Sequence, residues 1–380
     1  FDDVPFVVKF PDGEEFKVGE GEPQAIIRAN GGIDMGAVMK SPSLALGEAY
    51  MDKTLELEKG DLFEILNMVL AKLEDFASDF SGLTKIMKTS TSKKNQKQEI
   101  ATHYDIGNEF FELWLDETMS YSCGYFKHET DTLYDAQVHK VEHILKKLNL
   151  KEGQTLLDIG CGWGYLLIAA AKKYHVKGVG ITLSEEQYKK GQERIKAEGL
   201  EGQVEIRLMD YRDLEKSGMT FDRIVSVGML EHVSRDNYPL FFKNIDKVLN
   251  KKGIVLLHYI SGRQEHDGDP WIKKYIFPGG IIPSLREIIY LIGEYNYYTL
   301  DVESLRRHYE KTLLEWSKNY AAKRDVIDTM FEERFVRMWE LYLVSCASVF
   351  HNGICDIHQI LFTKGVDNDL PMTRNYLYED

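Results

Sequence analysis

One stretch constrains the fold of this chain more than any other: a strand that runs into a glycine-rich turn and then into a helix. It spans residues 155–164 and reads TLLDIGCGWG. The glycines at positions 160, 162 and 164 lack a Cβ, so they allow turn dihedrals closed to other residues and let a ligand approach the main chain closely. The following helix, predicted over residues 163–174, directs its first N–H groups back at the turn. The stretch therefore predicts a site for a nucleotide-like ligand.

The positions of acidic residues discriminate between such ligands. A dinucleotide site has the longer G-x-G-x-x-G spacing and an acid about 20 residues further on. Here the second predicted strand, residues 176–182, ends without an acid, and Asp158 instead precedes the first glycine by two residues. A carboxylate at that position suits a ligand with a cationic amino-acid arm, so we expect S-adenosylmethionine. A plain structural turn is the alternative interpretation.

Apolar strands alternate with amphipathic helices through the middle of the chain. This pattern predicts a Rossmann-like α/β fold, a parallel sheet with helices on both faces. Ligands bind such sheets outside the carboxyl ends of the strands. Polar residues stand near five predicted strand ends and should converge on one crevice: Asp158, Thr182, Asp210, Glu231 and His258. The predicted strands cover residues 155–160, 176–182, 204–209, 221–228, 253–260 and 357–363.

Length and composition limit the classes of protein to consider. A chain of 380 residues is long for one core, and its 43% hydrophobic and 28% charged residues are typical of a globular protein in water. A net charge of −14 argues against a nucleic-acid partner. No apolar run is long enough to span a bilayer, and the first residues do not resemble a signal peptide. The four cysteines lack C-x-x-C spacing, so we expect free thiols, no metal site and a cytoplasmic location.

The chain divides into segments of different character. We expect a small α+β accessory domain over residues 1–82, a basic polar linker over 83–98, and a catalytic domain over 99–380 with a lid insertion at about 261–325. The linker has five lysines and no acid. It is either a solvated tether or a segment that touches anionic lipid headgroups.

Local patterns predict further elements. The accessory domain should contain a hairpin over residues 4–20, a strand at 25–27 and helical structure from 43 to about 80. Near the end of the chain we expect helices over residues 304–323 and 326–350.

The chain resembles the cyclopropane-fatty-acyl-phospholipid synthases, class I S-adenosylmethionine-dependent methyltransferases of the cyclopropane and mycolic acid synthase family. The resemblance covers roughly residues 100–365, and several of its motifs are peculiar to that family. It rests on His103-Tyr104-Asp105 with Gly107-Asn108, Tyr121-Ser122-Cys123, residues 157–164, 180–184 with Gln187, 210–214, 226–229 with 231–233, and 269–272 with 274–279.

The resemblance implies an unusual reaction at a cis double bond. In this family the alkene of an unsaturated acyl chain takes a methyl group from S-adenosylmethionine. The resulting carbocation then loses a proton from the new methyl group, and the ring closes. The base in the family is a bound bicarbonate. Carried over to this chain, its cage consists of the side chains of Glu231, His258 and Tyr309 and the main chain of Cys123 and Ile260.

The resemblance also implies partners and cofactor-binding residues. We expect unsaturated phospholipid as the substrate, peripheral association with the inner face of the membrane, and a homodimer. The missing acid after the second strand is missing in the family as well. The expected cofactor-binding residues are Tyr121, Ser122, Asp158, Gly160, Gly162, Thr182, Leu183, Gln187, Asp210, Tyr211 and Val227.

Other interpretations stay open. A Glu-His pair such as Glu231 and His232 is also typical of helix capping. His258 alone suits a hydrogen-bonded core histidine, and Tyr309 a packed aromatic. The alternative functions are a methyltransferase acting on another lipid or on a small-molecule amine or hydroxyl, and a lipid-binding, membrane-associated protein. Methylation of the alkene without ring closure requires a hydride donor that nothing in the sequence indicates. Cys123 as a covalent nucleophile is discounted, because neither chemical step needs an enzyme-bound intermediate.

Overall fold

The computed structural model describes residues 5–77 and 106–378, and the chain groups into two compact units. The predicted linker and the motif at residues 103–105 lie outside the described residues. Among the described residues, the first unit contains 5–77, 268–278 and 310–355, and the second contains 106–267, 279–309 and 356–378.

The elements of the described residues are as follows. The strands are β1 (Phe6–Lys9), β2 (Glu15–Val18), β3 (Ala25–Ala29), β4 (Leu55–Lys59), β5 (Thr155–Ile159), β6 (Lys177–Thr182), β7 (Val204–Leu208), β8 (Phe221–Val227), β9 (Leu249–Gly262), β10 (Tyr297–Ser304) and β11 (Cys355–Lys364). The helices are α1 (Met35–Lys40), α2 (Pro42–Met51), α3 (Leu62–Ala77), α4 (Asn108–Glu112), α5 (Leu133–Lys147), α6 (Tyr165–Tyr174), α7 (Glu185–Ala197), α8 (Tyr238–Val248), α9 (Pro270–Tyr275), α10 (Leu285–Glu294), α11 (Arg306–Ala322), α12 (Arg324–Met330), α13 (Glu333–His351) and α14 (Asn375–Tyr378).

The first unit contains a sheet in the order β2-β1-β3-β4. β1 and β2 pair antiparallel, with Phe6 opposite Val18, so the predicted hairpin is confirmed, as is the strand now called β3. β4 was not predicted, because the apolar spacing over residues 43–80 favours helical structure. The LELEK sequence of β4 alternates apolar and acidic side chains, which is the period-2 pattern of a strand.

Residues 268–278 pack within the first unit against α2. The Trp271 ring lies directly over Gly47, where a Cβ would come within 2.5 Å of the indole. The indole N–H points at the Met51 sulfur at 3.2 Å, and Glu48 accepts hydrogen bonds from Lys274 and Tyr275 at 2.5 and 2.6 Å. Residues 268–278 belong to the segment predicted as a lid. That role and the predicted domain boundaries stay predictions.

The second unit is built around a sheet in the order β10-β11-β9-β8-β5-β6-β7. β5 to β9 pair in parallel, as predicted. The expectation of a wholly parallel sheet is wrong, because β10 pairs antiparallel with β11. β10 was not predicted, and two of its large side chains, Tyr298 and Leu300, are exposed. It therefore lacks the apolar run by which buried parallel strands are recognised.

Helices cover both faces of this sheet, which confirms the α/β fold class. Successive residues of β5 belong to different hydrophobic clusters, Leu156 to one and Leu157 to the other, because side chains alternate across a strand. α8 contributes Phe241 to the cluster of Leu157, and α6 contributes Leu167 to the cluster of Leu156.

Two predicted helix boundaries are confirmed, and one long helix is not continuous. The Ser184 hydroxyl accepts the N–H of Gln187 at 3.2 Å and caps α7. Gly353, with φ +69°, follows the end of α13. The helix predicted over residues 326–350 is instead two helices, α12 and α13, separated at Phe331, whose backbone is extended. No helix in the described ranges is long and apolar enough to cross a membrane.

Candidate active site

A pocket with about 1050 Å³ of empty space, its open mouth included, lies at the carboxyl ends of β5, β6 and β8 in the second unit. Its lining contains ten predicted cofactor residues: Tyr121, Ser122, Asp158, Gly160, Gly162, Thr182, Leu183, Gln187, Tyr211 and Val227. Asp210 is not part of the lining. Its carboxylate accepts hydrogen bonds from the Arg212 guanidinium at 2.6 and 2.9 Å. The binding roles of all these residues stay predictions.

The glycine turn forms part of the pocket wall, and its glycines have no side chains that would occupy the pocket. Gly160, Gly162 and Gly164 have φ values of +82°, +54° and +82°, in the left-handed region that favours glycine. A Cβ at Gly164 would lie 2.8 Å from Ile206, so this glycine allows close packing. A Cβ at Gly162 would meet no described atom within 4 Å. That open space at the pocket wall fits the approach of a cofactor to the main chain.

Asp158 provides an unsatisfied carboxylate in the same pocket. Its side chain is 3% exposed, and its Oδ1 has no hydrogen-bond partner among the described residues. Burial raises the pKa of Asp158 to about 7, although the nearby Lys140 charge opposes the shift. A buried carboxylate without a partner fits a cationic group of a ligand, such as the ammonium group of an amino-acid arm.

Glu231 and Ile260 are joined where β8 and β9 end. The Glu231 Oε1 accepts the main-chain N–H of Ile260 at 2.7 Å, and its Oε2 has no partner among the described residues. Burial raises the pKa of Glu231 to about 7, and the hydrogen bond from Ile260 counteracts only part of that rise. Near neutral pH this carboxyl group therefore exchanges a proton readily.

His258 lies two residues before Ile260 and so on the same face of β9. Its side chain is 1% exposed, and its Nδ1 lies 3.2 Å from the Gln359 amide nitrogen. With the amide oriented in this way, Nδ1 accepts and Nε2 carries the proton. Nε2 has no partner among the described residues. Burial, reinforced by the Lys140 charge, lowers the pKa of His258 to about 3, so the imidazole is neutral.

Cys123 and Tyr309 both approach the residue that precedes α11. The buried Cys123 sulfur lies 3.9 Å from the Leu305 carbonyl oxygen, which also accepts the main-chain N–H of Tyr309 at 3.1 Å. Leu305 in turn donates its N–H to Ile357 of β11 at 2.8 Å. Two pairs of predicted cage residues are thus linked, Glu231 with Ile260 directly and Cys123 with Tyr309 through the Leu305 carbonyl. His258 is instead held by Gln359, which was not predicted.

Comparison with known proteins identifies the family. A family model described as mycolic acid cyclopropane synthetase matches residues 91–360, and a domain of unknown function matches residues 1–81. The chain belongs to the mycolic acid cyclopropane synthetase family. It is an S-adenosylmethionine-dependent methyltransferase of this family, whose chemistry is methyl transfer to lipid acyl chains.

Relatives in this family cover most of the chain. The cyclopropane-fatty-acyl-phospholipid synthase of Escherichia coli (strain K12) is 40% identical over 360 residues, which is 93% of this chain and 92% of the relative. A probable fatty acid methyltransferase of Pseudomonas putida is 39% identical over 385 residues, 99% of this chain and 96% of the relative. Among solved structures, the chain is similar to the crystal structure of mycolic acid cyclopropane synthase CmaA1 complexed with SAH and CTAB, with a TM-score of 0.66. The two sequences are 34% identical, and the match covers 70% of this chain and 98% of that one.

Three rings form a stack beside the residues of the predicted cage. Tyr125 lies between His143 and His308, with centroid distances of 4.4 and 4.7 Å and interplanar angles of 19° and 14°. Tyr125 follows Cys123 by two residues, and His308 directly precedes Tyr309. The stack therefore links the loop that carries Cys123 to helix α11, which carries Tyr309.

Several residues at the site were missed by the sequence analysis: Lys140, His143, Tyr125, His308 and Gln359. Two of them had a usable signal. Lys140 and His143 lie on the face of α5 that also carries the apolar Ile144, and all three are buried. A basic residue on the apolar face of an amphipathic helix is unusual and indicates a buried partner or a ligand. The described residues contain no cluster of three potential metal ligands.

Proposed function

We propose that this protein transfers a methyl group from S-adenosylmethionine to the cis double bond of unsaturated acyl chains in membrane phospholipids and closes a cyclopropane ring. The observation that carries the proposal is the pairing of Glu231 with the Ile260 main chain, two residues from a buried neutral His258. This arrangement provides polar groups suited to a base that acts after methyl transfer. The family match and the phospholipid synthase of E. coli support the substrate class.

An alkene acceptor makes particular demands on the protein. Unlike an amine or a hydroxyl, it has no proton to release before attack, so a base is needed only after transfer. The sulfonium of the bound cofactor supplies the methyl group to the π bond, which leaves a carbocation on the acyl chain. A side-chain nucleophile close to this cation would trap it. A small base bound among groups that are already hydrogen-bonded avoids that outcome.

We assign the base to bicarbonate and propose that the side chains of Glu231, His258 and Tyr309 and the main chain of Cys123 and Ile260 hold it. When the Gln359 amide donates to Nδ1, the His258 Nε2 carries the proton and can donate a hydrogen bond to an anion. Glu231, with a pKa of about 7, can be protonated and donate through Oε2. The Ile260 N–H is already donated to Glu231, so here the main chain orients the carboxyl group.

The membrane is the proposed place of action. Acyl chains of phospholipid are reached only at a bilayer, and the linker lysines could attract anionic headgroups there. A peripheral position on the inner face of the membrane and a homodimer remain predictions from the resemblance.

Incubation with S-adenosylmethionine and vesicles of monounsaturated phospholipid tests the function, with the acyl chains analysed by mass. A gain of one CH₂ per chain with loss of the double bond is expected. Removal of bicarbonate from the buffer should slow the reaction, and added bicarbonate should restore it. A methyl-branched saturated chain, which carries two more hydrogens, would contradict ring closure. A methyl group on a headgroup amine with unchanged acyl chains would contradict the substrate.

A further inference from the structure

Lys140 is a buried cation in the wall of the cofactor pocket. It lies on α5, is 3% exposed, and donates a hydrogen bond from Nζ to the Ser122 hydroxyl at 3.0 Å. Among the described residues it makes no ion pair with a carboxylate. An ammonium group taken out of water costs several kcal/mol unless a partner compensates it. The charges of Asp116 and Asp158 act on Lys140 without forming an ion pair, so a partner in direct contact would stabilise the ammonium group further.

A second buried lysine on the same helix, Lys147, has its charge compensated by carboxylates of the protein. Lys147, two turns further along α5, is also almost fully buried, but its Nζ pairs with Asp301 at 3.2 Å and Glu303 at 2.5 Å. Lys140 has no such pair, and it faces the pocket instead. The contrast indicates that the partner of Lys140 is the ligand of that pocket.

Two residues of α5, Gln137 and Lys140, hold Ser122 in place at the pocket. Gln137, one turn earlier on the helix, donates its amide N–H to the Ser122 carbonyl at 2.8 Å. The helix thereby fixes both the Ser122 main chain and, through Lys140, its hydroxyl. Burial lowers the pKa of Lys140 to about 8, with the charges of Asp116, Cys123 and Asp158 opposing the shift, so the amine is largely protonated at pH 7.

We propose that Lys140, together with the Ser122 hydroxyl, binds the carboxylate of the cofactor's amino-acid arm, while Asp158 faces its ammonium group. S-adenosylmethionine carries both charges at one end, and the pocket offers one buried group of each opposite sign. Charge-assisted hydrogen bonds of this kind are stronger than neutral ones. The inference rests on the cofactor of the family and is independent of the proposed lipid product.

Calorimetric binding of two ligands to the full-length protein at pH 7 tests the assignment. The ligands are S-adenosylmethionine and its decarboxylated analogue, S-adenosyl-3-methylthiopropylamine, which keeps the ammonium and lacks the carboxylate. Wild-type protein should bind the first about 10- to 100-fold more tightly, as expected for hydrogen bonds to a charged group. Lys140→Met should lose that preference by weakening S-adenosylmethionine alone. Lys146→Met, on the same helix but outside the pocket lining, is the matched control and should keep it.

Equal weakening of both ligands by Lys140→Met would overturn the proposal, as would unchanged affinity for S-adenosylmethionine. If that variant does not fold, the wild-type protein still decides. It should bind S-adenosylmethionine about 10- to 100-fold more tightly than the decarboxylated analogue at pH 7. A wild-type protein that does not distinguish the two ligands at pH 7 would also overturn the assignment.

Discussion

The Glu231 carboxyl group accepts a hydrogen bond of 2.7 Å from the Ile260 main chain, which links the turn after β8 to β9. β8 and β9 pair with Val227 opposite His258, which places a pocket-lining residue beside the buried imidazole. His258 and Ile260 lie on β9, and the hydrogen bond to Ile260 ties Glu231, which follows the end of β8 by four residues, to the same strand.

Substitution at these two residues should separate ring formation from cofactor binding. We expect Glu231→Gln and His258→Ala each to lower cyclopropane formation by at least about 100-fold, the lower end of what general acid–base groups contribute. Affinity for S-adenosylmethionine should stay within about threefold, because neither side chain lines the cofactor pocket. Acyl-chain mass analysis and calorimetry measure the two quantities. Loss of cofactor binding in both variants would contradict the separation.

Glu231 should also make stability depend on pH. Its pKa is raised from 4.5 to about 7 in the folded protein, so the folded state retains a proton that the unfolded state releases. The stability associated with that proton is fully present below pH 4.5 and is lost as the pH rises through 7. Glu231→Gln does not titrate, so its free energy of unfolding relative to wild type should increase between pH 5 and pH 8, by at most about 3 kcal/mol. Urea denaturation at both pH values measures this difference. The exposed Glu201→Gln should show no such change, and an equal change in that control would contradict the assignment.

Replacement of two glycines of the turn should affect different properties, stability at Gly164 and cofactor binding at Gly162. Gly164→Ala places a Cβ 2.8 Å from Ile206, so it should lower the free energy of unfolding by more than the roughly 1–2 kcal/mol of a left-handed backbone alone. Gly162→Ala meets no described atom, so its stability loss should not exceed that backbone cost. It should instead weaken S-adenosylmethionine binding about tenfold or more, since the added methyl occupies the open pocket wall. Urea denaturation and calorimetry distinguish the two. A Gly162→Ala variant with wild-type affinity would place the cofactor elsewhere.

The cofactor half of the site could be predicted because its signal is local. A strand, a glycine turn and a helix occupy adjacent residues, so residues 155–164 are sufficient to predict the turn and the position of Asp158 near the end of β5. The placement of Glu231 and His258 near neighbouring strand ends was predicted from the alternation of strands and helices. The hydrogen bond between Glu231 and Ile260 was not predicted.

The ring stack, strand β4 and the role of Lys140 depend on tertiary contacts, which the sequence pattern alone does not predict. Tyr125 and His308 come from separate parts of the chain and meet His143 only after the chain has folded, so the sequence does not predict the stack. β4 was not predicted because its alternating pattern covers only five residues and the flanking sequence has helical spacing. Lys140 resembles an ordinary surface lysine until the apolar face of its helix is known.

The ring stack should influence turnover through the predicted cage and not through the cofactor. Tyr125→Leu removes the ring between His143 and His308, so we expect a several-fold rise in the bicarbonate concentration required for half-maximal activity. Tyr125→Phe retains the ring and should behave like wild type. The KM for S-adenosylmethionine should be unchanged in both variants, because Tyr125 does not line the cofactor pocket. The exposed Tyr134→Leu serves as the control. A Tyr125→Leu variant whose only change is a higher KM for the cofactor would contradict the positioning role.

The linker lysines should make vesicle binding sensitive to salt. Replacement of Lys85, Lys88, Lys93, Lys94 and Lys97 by glutamine removes five positive charges, each contributing up to about 1 kcal/mol near an anionic surface. Co-sedimentation with vesicles that contain anionic lipid should therefore weaken markedly in the variant. Wild-type binding should weaken as ionic strength rises, because the Debye length shortens to about 3 Å at 1 M salt.

The matched control replaces five exposed lysines of the second unit, Lys151, Lys177, Lys196, Lys216 and Lys251, and makes the same change in net charge. If the linker itself contacts the headgroups, the control should retain vesicle binding that the linker variant loses. Equal losses in both variants would mean that net charge alone governs association. Binding that neither salt nor the linker substitutions change would assign the membrane contact to apolar surface instead, because apolar burial is not screened by ions.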